Sequence, residues 1–340
     1  MTQILLVIIG LAILNLVFAA LVIVLRVINR RRIARFALRK RLWQPRLIAL
    51  ISDDVDPTDL SRDVESGEQR DVVEIAWEFS RRLRGPDRER VQAFAVPLLG
   101  VMTKDLNARR QETRARAVQV VACLGGDDYE ETIAGYLDDP STLVSLVSAR
   151  ALAQPNRVQW IGAILDRLYR YDEWSQALLS SMLANVGSEA TPAMRRYLDD
   201  DLNTPHSRAA VARALELLRD VEAADVAAQQ LDSADGEVVA ACLRLLSVVG
   251  RGIHAVGVRP LLEDERFFIR SAAITTLGRI GVREDALTIA QMVDGDSPWV
   301  AIRSAQALAD LHATDELAAL VERGGLPAEA AIETLYGGAA

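Results

Sequence analysis

The chain has little of the chemistry that most catalytic and metal-binding sites need. Its 340 residues include only three histidines, His206, His254 and His312, which stand about 50 residues apart. None of them has a second metal ligand at helical spacing, which argues against a zinc site. Neither a G-x-x-x-x-G-K-S/T phosphate loop nor an H-E-x-x-H motif occurs. We therefore expect no metal, no cofactor, no catalytic residue and no enzymatic activity.

Cysteine and lysine are scarce as well. Cys123 and Cys242 are the two cysteines, and they lack the paired spacing of a metal or redox motif. We expect both to be buried apolar residues rather than reactive thiols. Lys40 and Lys104 stand against 37 arginines, which we interpret as a bias of genomic composition rather than a functional signal.

No stretch of the chain alternates between polar and apolar residues as a strand would. A helical pattern recurs instead, most clearly in Ile269–Gly281. Its anchor position repeats at intervals of 29 to 33 residues, at Arg114, Val147, Gln176, Arg208, Val239, Arg270 and Arg303. A fixed period in this range is typical of stacked helical units. The sequence predicts an all-α solenoid of about seven helix pairs.

Details of the repeat support helix pairs joined by short turns. Small apolar residues follow each anchor, and glycines close several segments, at Gly125, Gly187, Gly250 and Gly281. We expect these glycines to adopt the left-handed conformation at helix ends. Acidic turns should cap the helices that follow them; they are Leu137–Pro140, Leu231–Asp235, Leu262–Asp264 and Val293–Pro298.

The pattern also places the remaining helical segments. Between the anchor helices lie other segments such as Val256–Leu262 and Asp285–Val293. Asp71–Met102 is predicted as a leading helical pair, and Thr314–Tyr336 as a trailing cap. The solenoid is thereby predicted to cover residues 70–338.

The motif Leu262-x-Asp264…Ile269-Arg270-x-Ala272-Ala273…Leu277-Gly278-x-Ile280-Gly281 resembles the HEAT repeat, in the variant also called the phycobilin-lyase-type HEAT-like repeat. The match is degenerate at Val147, Gln176 and Val239, where the arginine is absent. The resemblance implies a structural ladder between turn aspartates and helix arginines, with Asp264 and Arg270 as one pair and Asp296 and Arg303 as another. It also implies a concave binding face lined by the second helices, and it assigns no activity.

The N-terminal stretch Ile4–Leu25 has 22 residues with no charge, and Asn15 is its one polar side chain. A helix of that length spans about 33 Å, enough for a hydrocarbon core of about 30 Å. The run is too long for a cleaved signal peptide, and no basic residue precedes it. We predict a single transmembrane helix over residues 1–28. Asn15 is then either a helix–helix contact or a single tolerated polar residue.

Nine basic residues and no acidic residue fall in the first 50 positions. Positive residues stay on the cytoplasmic side, so we predict a single-pass protein of the bacterial inner membrane, with its N-terminus outside and its C-terminal domain cytoplasmic. Residues 29–50 are predicted as a basic juxtamembrane helix that Pro45 ends. It would touch membrane lipid through Arg30, Arg31, Arg32, Arg35 and Trp43. An ordinary stop-transfer flank is the alternative.

Residues 51–340 are acidic, with 30 basic and 47 acidic residues and a formal charge of −17. Such a body is a poor binder of nucleic acid, because phosphate contacts need basic surface. Residues 51–69 hold many acids and few large apolar residues, which predicts a linker. This segment could instead fold back on the basic residues as a counter-charge.

Two sets of residues are candidates for binding a partner. The first is an aromatic cluster, Trp160, Tyr169, Tyr171 and Trp174, which places four rings in fifteen residues. Its alternative is volume filling at the shortest repeat interval. The second is an arginine ridge, Arg213 and Arg244 at one offset in adjacent repeats, with Arg279 nearby. It could receive an acidic partner segment, or it could be an ordinary solvated face with Glu216 beside Arg213.

These observations favour a non-catalytic, membrane-anchored scaffold or regulatory subunit that binds a membrane-associated protein partner. One such role would be that of an accessory subunit of a membrane glycosyltransferase or an envelope-assembly complex, which is inferred from architecture alone. No small-molecule substrate is evident. The alternatives are a bilin lyase or isomerase of the HEAT-like type, and a self-associating structural protein.

Overall fold

A computed structural model of the chain describes residues 2–52, 54–155, 157–293 and 298–336. Every regular element in those ranges is a helix. The helices form two compact units, Met1–Tyr136 and Leu137–Ala340. The predicted all-α fold built of repeated helices is confirmed.

The first unit contains seven α-helices within the described residues. They are α1 (Thr2–Ile51), α2 (Pro57–Arg62), α3 (Gln69–Ser80), α4 (Gly85–Ala95), α5 (Gly100–Thr103), α6 (Gln111–Leu124) and α7 (Glu130–Ala134). The helix α1 packs on α3 and α4, and α3 packs on α6.

The C-terminal end of α1 is anchored in the core of this unit. Trp43, Leu47 and Leu50 are buried, and the ring centroid of Trp43 lies 6.0 Å from that of Phe94 on α4. Arg90 donates hydrogen bonds to the backbone carbonyls of Leu50 (2.7 Å) and Val55 (3.1 Å). The carbonyl of Leu50, at the end of the helix, thus receives a partner from another helix.

The expected role of Trp43 and the expected stop at Pro45 need correction. Trp43 is 2% exposed and lies against protein, so it does not present itself to a lipid interface. The helix continues through Pro45 to Ile51. Proline removes one backbone hydrogen bond from a helix interior, and burial of a large aromatic side chain against α4 offsets that loss.

The basic residues near the end of α1 are paired with acids of α3. Arg39 binds Asp71, and Lys40 binds Glu78. The carboxylate of Glu68 is also 3.9 Å from Arg39. The segment between α1 and α3, expected to be a linker, contains the helix α2. The counter-charge that the sequence offered from residues 51–69 comes mainly from Asp71 and Glu78 of α3 instead, with Glu68 of that segment 3.9 Å from Arg39.

The predicted membrane location is wrong on the present structure. Among the described residues, we find no helix with the length and apolar content needed to cross a membrane. Crossing takes about 20 consecutive apolar residues; the side chains of α1 are described from Leu16 onwards, and charged residues recur from Arg26. Arg30, Arg31 and Arg35 are exposed. The side chains of Asn15 and Arg32 lie outside the described set.

The second unit contains thirteen α-helices within the described residues. They are α8 (Thr142–Leu152), α9 (Ile161–Leu165), α10 (Gln176–Ala184), α11 (Thr191–Asp199), α12 (Pro205–Leu218), α13 (Ala223–Gln229), α14 (Gly236–Val249), α15 (Ala255–Val258), α16 (Phe267–Ile280), α17 (Asp285–Met292), α18 (Pro298–Asp310), α19 (Thr314–Arg323) and α20 (Gly325–Tyr336).

These helices alternate between two roles. We call α10, α12, α14, α16, α18 and α20 the second helices; each packs beside the next in that order. We call α11, α13, α15, α17 and α19 the first helices. Small side chains line the seams between second helices, since Ala210, Ala241 and Ala305 are fully buried. Small residues allow close helix approach, which keeps the stack regular.

Of the predicted acidic turns, the one at Asp235 caps its helix with the side chain of the N-cap residue, whereas Asp139 and Asp264 lie two residues before the N-cap and accept from the amide of the N-cap residue itself. A carboxylate oxygen of Asp139 accepts the amide hydrogen of Ser141 at 2.8 Å, and Asp235 accepts that of Glu237 at 2.9 Å. Asp264 likewise accepts from the amide of Arg266. In the fourth turn, residues 294–297 lie outside the described residues.

The closing glycines act differently from the prediction. Of the four, only Gly187 has a positive φ, of 102°. At Gly250 and Gly281 the chain leaves the helix in an extended conformation. A Cβ atom there would lie 2.4 Å from the carbonyl oxygen of Leu246 or of Leu277. Glycine is required at these two helix ends because a side chain would collide with a backbone carbonyl, and not because the backbone is left-handed there.

The first helices are shorter and less regular than the second. The predicted segment Val256–Leu262 is split into α15 and a 3-10 helix, Arg259–Glu263. Pro260 has no amide hydrogen with which to continue an α-helix. The other predicted segment, Asp285–Val293, matches α17 to within one residue.

Candidate functional site

Residues 31 apart occupy equivalent positions on the second helices α12, α14, α16 and α18. Two contacts across the seams show this register. The Nε of Arg279 is 3.1 Å from a carboxylate oxygen of Asp310, and the Nδ1 of His206 is 3.9 Å from a carboxylate oxygen of Glu237. A side chain on one helix therefore stands beside its counterpart on the next.

One such set runs along the middle of the second helices. We call it the central row; it consists of Arg213, Arg244, Thr275 and Gln306. Arg213, Arg244 and Gln306 are exposed, and Thr275 is half-buried. In the described part of the chain, the guanidinium groups of Arg213 and Arg244 have no hydrogen bond or ion pair, and Glu216 does not pair with Arg213. Two of the predicted ridge arginines thus occupy equivalent positions on neighbouring second helices, and in the described part of the chain no bond occupies their donors.

The other two members of the central row have defined hydrogen-bonding capacity. The hydroxyl of Thr275 donates to the carbonyl of Ser271 at 2.9 Å, which leaves its oxygen able to accept. The side-chain carbonyl of Gln306 accepts from Arg303 at 2.8 Å, which leaves its NH2 group able to donate.

A cleft of about 340 Å³ opens beside the central row where α16, α18 and α20 meet. Its lining includes both members of the central row on these helices and the third ridge arginine, Arg279. The lining residues are Thr275, Arg279, Arg303, Gln306, Ala307, Ala309, Asp310 and Thr334. Asp310 pairs with Arg279, whereas Arg303 is bound to a neutral amide. The two arginines and one aspartate leave this cleft with one excess positive charge.

A second set of equivalent positions lies at the N-terminal ends of the same helices. We call it the end row; it consists of His206, Glu237, Phe268 and Trp299. The side chain of Trp299 is 63% exposed and that of Phe268 is 41% exposed. Sequence reasoning missed both aromatics, although the 31-residue interval from Glu237 would have found them. Exposed tryptophan and arginine side chains are typical of binding surfaces.

The predicted aromatic cluster is not assembled on one surface. Tyr171 is fully buried, and its hydroxyl lies 2.7 Å from that of Ser145. Burial raises the pKa of Tyr171. Tyr169 is exposed, while Trp160 and Trp174 are half-buried. Tyr171 therefore fills volume, the alternative that the sequence left open for the cluster.

In the expected ladder pair of Asp264 and Arg270, the arginine binds backbone carbonyls of the turn just before its own helix. The guanidinium group of Arg270 donates to the backbone carbonyls of Asp264 (2.8 Å) and Glu265 (2.9 Å). The carboxylate of Asp264 is bound by Arg266, whose guanidinium group lowers the pKa of Asp264. The anchor arginine thus stabilises turn carbonyls that lie five and six residues earlier.

The same arrangement recurs in the first unit. Arg114 donates to the carbonyls of Ala108 (2.9 Å) and Arg109 (3.1 Å). For the second predicted ladder pair, Asp296 lies outside the described residues, and Arg303 contacts Gln306.

Other titratable groups take part in local structure. The described residues contain no group of three His, Cys, Asp or Glu side chains placed to hold a metal ion. The Nε2 of His254 lies 2.9 Å from Asp225, and its Nδ1 accepts from the amide of Arg251. Cys242 is fully buried, which raises the pKa of its thiol to about 12, and Cys123 is half-buried.

Comparison with known proteins bears on the fold. No family model matches the chain, and no curated protein matches it either. Among solved structures, Kap121p bound to RanGTP is similar to this chain, with a TM-score of 0.53 at 11% identity, over 88% of this chain and 39% of that one. Another structure of Kap121p gives 0.52 at the same identity and coverage. The chain spans about two fifths of the length of Kap121p.

At this level of identity the likeness concerns the fold alone. Kap121p is a karyopherin of the HEAT-repeat class. The chain therefore has a HEAT-like helical repeat fold, as the sequence motif implied. The narrower resemblance to the phycobilin-lyase type receives no support from the comparisons.

Proposed function

We propose that this chain is a non-catalytic scaffold or regulatory subunit that holds a protein partner on its second helices α12–α18. The observation that carries the proposal is the central row. It places one exposed or half-exposed polar residue on each of four neighbouring helices at a constant interval. Arg213 and Arg244, its two charged members, have no partner within the described chain.

The fold suits this role. Helical repeats stack into extended surfaces, and binding along such a surface is their general use. Kap121p, a protein of similar fold, is bound to RanGTP in one of its structures. Binding of a protein across stacked repeats is thus compatible with this architecture.

The composition of the surface supports the same conclusion. Arginine, tryptophan and tyrosine are the residues most often found to dominate binding energy at interfaces. Arg213 and Arg244 lie on α12 and α14, and the exposed aromatics Phe268 and Trp299 lie on the next two second helices, α16 and α18. A partner that covers both rows would bury aromatic surface and form charge-assisted hydrogen bonds together.

A photo-crosslinking experiment tests the proposal. A photoreactive amino acid replaces Thr275 in the full chain, which is expressed in its native cells and irradiated. The control replaces Leu287, which is 64% exposed on the first helix α17. We expect one discrete adduct from position 275, absent from position 287 and abolished when Arg244→Glu is added.

Two results would contradict the proposal. Adducts of equal yield from both positions, or none from position 275, would show that the second helices are not a preferred binding face. An adduct with twice the mass of the chain would show self-association in place of a distinct partner.

A further inference from the structure

The central row repeats with the spacing of the second helices. Packed helices have axes about 8–10 Å apart, and small residues such as Gly278 and Ala307 keep α16 and α18 close together. A ligand that contacts successive members of the row therefore needs side chains that repeat every 8–10 Å on one side.

An extended segment in the polyproline II conformation meets this requirement. It has three residues per turn and rises about 3.1 Å per residue, so every third side chain lies on the same side about 9 Å further on. A β-strand places every second side chain on one side, only about 7 Å apart. An α-helix places every seventh residue on one side at about 10 Å, so spacing alone does not exclude it.

Hydrogen-bonding capacity separates the helix from the polyproline II segment. Thr275 offers an acceptor and Gln306 offers a donor to whatever lies on the row. The backbone of a polyproline II segment has free amide and carbonyl groups. The backbone of an α-helix is bonded internally, so it would leave both side chains unused.

Charge defines the side chains of the segment. Arg213 and Arg244 each present five hydrogen-bond donors in a planar group that matches a carboxylate. The nearby Glu237 is already bound by the side-chain amide of Gln176 at 2.9 Å. The excess positive charge of the cleft at Arg279 and Arg303 provides a third position for a carboxylate at the end of the row.

The rest of the unit argues against a nucleic-acid ligand. Residues 137–340 contain 18 arginines, no lysine and 29 acidic residues. A long polyanion would meet repulsion outside the row, whereas a short peptide need contact only the row itself.

We infer that the partner contributes an acidic segment in the polyproline II conformation, with a carboxylate at every third residue, which lies along the central row. This inference rests on the proposed function, because it specifies the partner of the same surface.

Binding of synthetic peptides to the purified full-length chain tests the inference. The first fluorescent peptide repeats Glu-Pro-Ser. The second has the same composition, with its glutamates gathered in one block in which they occupy every second position, and the third replaces every glutamate of the first by glutamine. A fourth is a helical peptide with glutamate at every seventh residue. We expect the first to bind at least about ten-fold more tightly than the others, as one charge-assisted bond is worth about that factor.

Substitutions in the chain provide the matched test. Arg213→Glu and Arg244→Glu should each weaken binding of the first peptide about ten-fold or more. Arg196→Glu makes the same charge change at an exposed position on the first helix α11, and it should leave binding unchanged. The neutral variant Arg244→Gln should also weaken binding, and its unfolding midpoint checks that the fold is retained.

Each contrary result has a definite meaning. Equal binding of the first two peptides would show that charge without spacing is sufficient, which overturns the inference. Tighter binding of the helical peptide, or of single-stranded DNA, would overturn it as well. If no peptide binds but the adduct from position 275 persists, this inference fails and the scaffold stands. If that adduct is absent, the scaffold itself fails.

Discussion

Gly278 on α16 faces Ala307 on α18 with no space for a side chain between them. A Cβ atom on Gly278 would lie 2.8 Å from both the Cα and the Cβ of Ala307. Neither atom can move aside through a change of rotamer. The distance between these two helices, and with it the register of the central row, therefore depends on glycine at this position.

We expect Gly278→Ala to lower the free energy of unfolding by about 1–3 kcal/mol, the usual effect of overpacking. The gain in helix propensity, about 1 kcal/mol at most, acts in the opposite direction and is smaller. Urea denaturation measures the change. The control is Gly162→Ala on α9, where no heavy atom lies within 4 Å of the added methyl group. A Gly278→Ala variant as stable as the parent would show that the helices are not in close contact here.

Asp285 should confer a stability that depends on pH. Burial alone would raise its pKa, but hydrogen bonds from Arg259 (2.6 Å) and from the amide of Val282 (2.8 Å) outweigh burial and lower the pKa below its ordinary value of 3.8. A lowered pKa in the folded state means that the carboxylate stabilises the fold above pH 3.8. This contribution is lost as the pH falls through the folded-state pKa.

The variant Asp285→Asn tests this expectation. At pH 7 it should lose about 1.5–3 kcal/mol, the range for hydrogen bonds to charged groups. The difference from the parent should stay constant from pH 7 to about pH 5 and shrink below about pH 4. The exposed residue Asp232 supplies the control, Asp232→Asn. A difference that grew with acidification would contradict the assigned direction of the pKa.

Trp43 should behave as a core residue of the first unit. Trp43→Ala removes the contact with Phe94, and we expect a loss of about 3–5 kcal/mol. The adjacent Leu42 is 60% exposed, so Leu42→Ala should change stability by no more than about 0.5 kcal/mol. Thermal unfolding of both variants makes the comparison. Equal effects would mean that Trp43 is not buried against α4.

The two thiols should differ in reactivity. The thiolate is the reactive form, and burial raises the pKa of Cys242 to about 12. Cys123 is half-buried. We expect one thiol per native chain to react with a disulfide reagent at pH 8, and the second only after denaturation. Cys123→Ser should abolish the native reaction, whereas Cys242→Ala should leave it intact. Rapid reaction of both thiols in the native protein would refute the assignment.

Sequence alone predicts those parts of the fold that depend on local or periodic features. The interval near 31 is visible because a narrow helix seam accepts only small residues such as Ala241 and Ala305. The cap at Asp235 is predictable because an aspartate directly before a helix can accept an amide hydrogen that the first turn leaves unpaired. The equivalent positions of Arg213 and Arg244 on neighbouring helices follow from the same interval.

Features that depend on contacts distant in sequence escape such reasoning. Pro45 ends a helix by local rules, yet burial of Leu47 and Leu50 and a hydrogen bond from Arg90 on another helix to the carbonyl of Leu50 stabilise α1 beyond it. Tyr171 belongs to a cluster of aromatics by composition, but only packing decides that its ring is buried. Phe268 and Trp299 are 31 residues apart, so the interval could have aligned them, but only the structure shows that both side chains are exposed.

The arginines that close their own turns have a consequence for how the chain tolerates change. The side chains of Arg114 and Arg270 donate hydrogen bonds to backbone carbonyls five and six residues earlier. These bonds lie within one repeat. Loss of one such arginine therefore removes them from its own turn. This is consistent with helices that stack at a regular interval although three repeats have Val147, Gln176 or Val239 in place of the arginine.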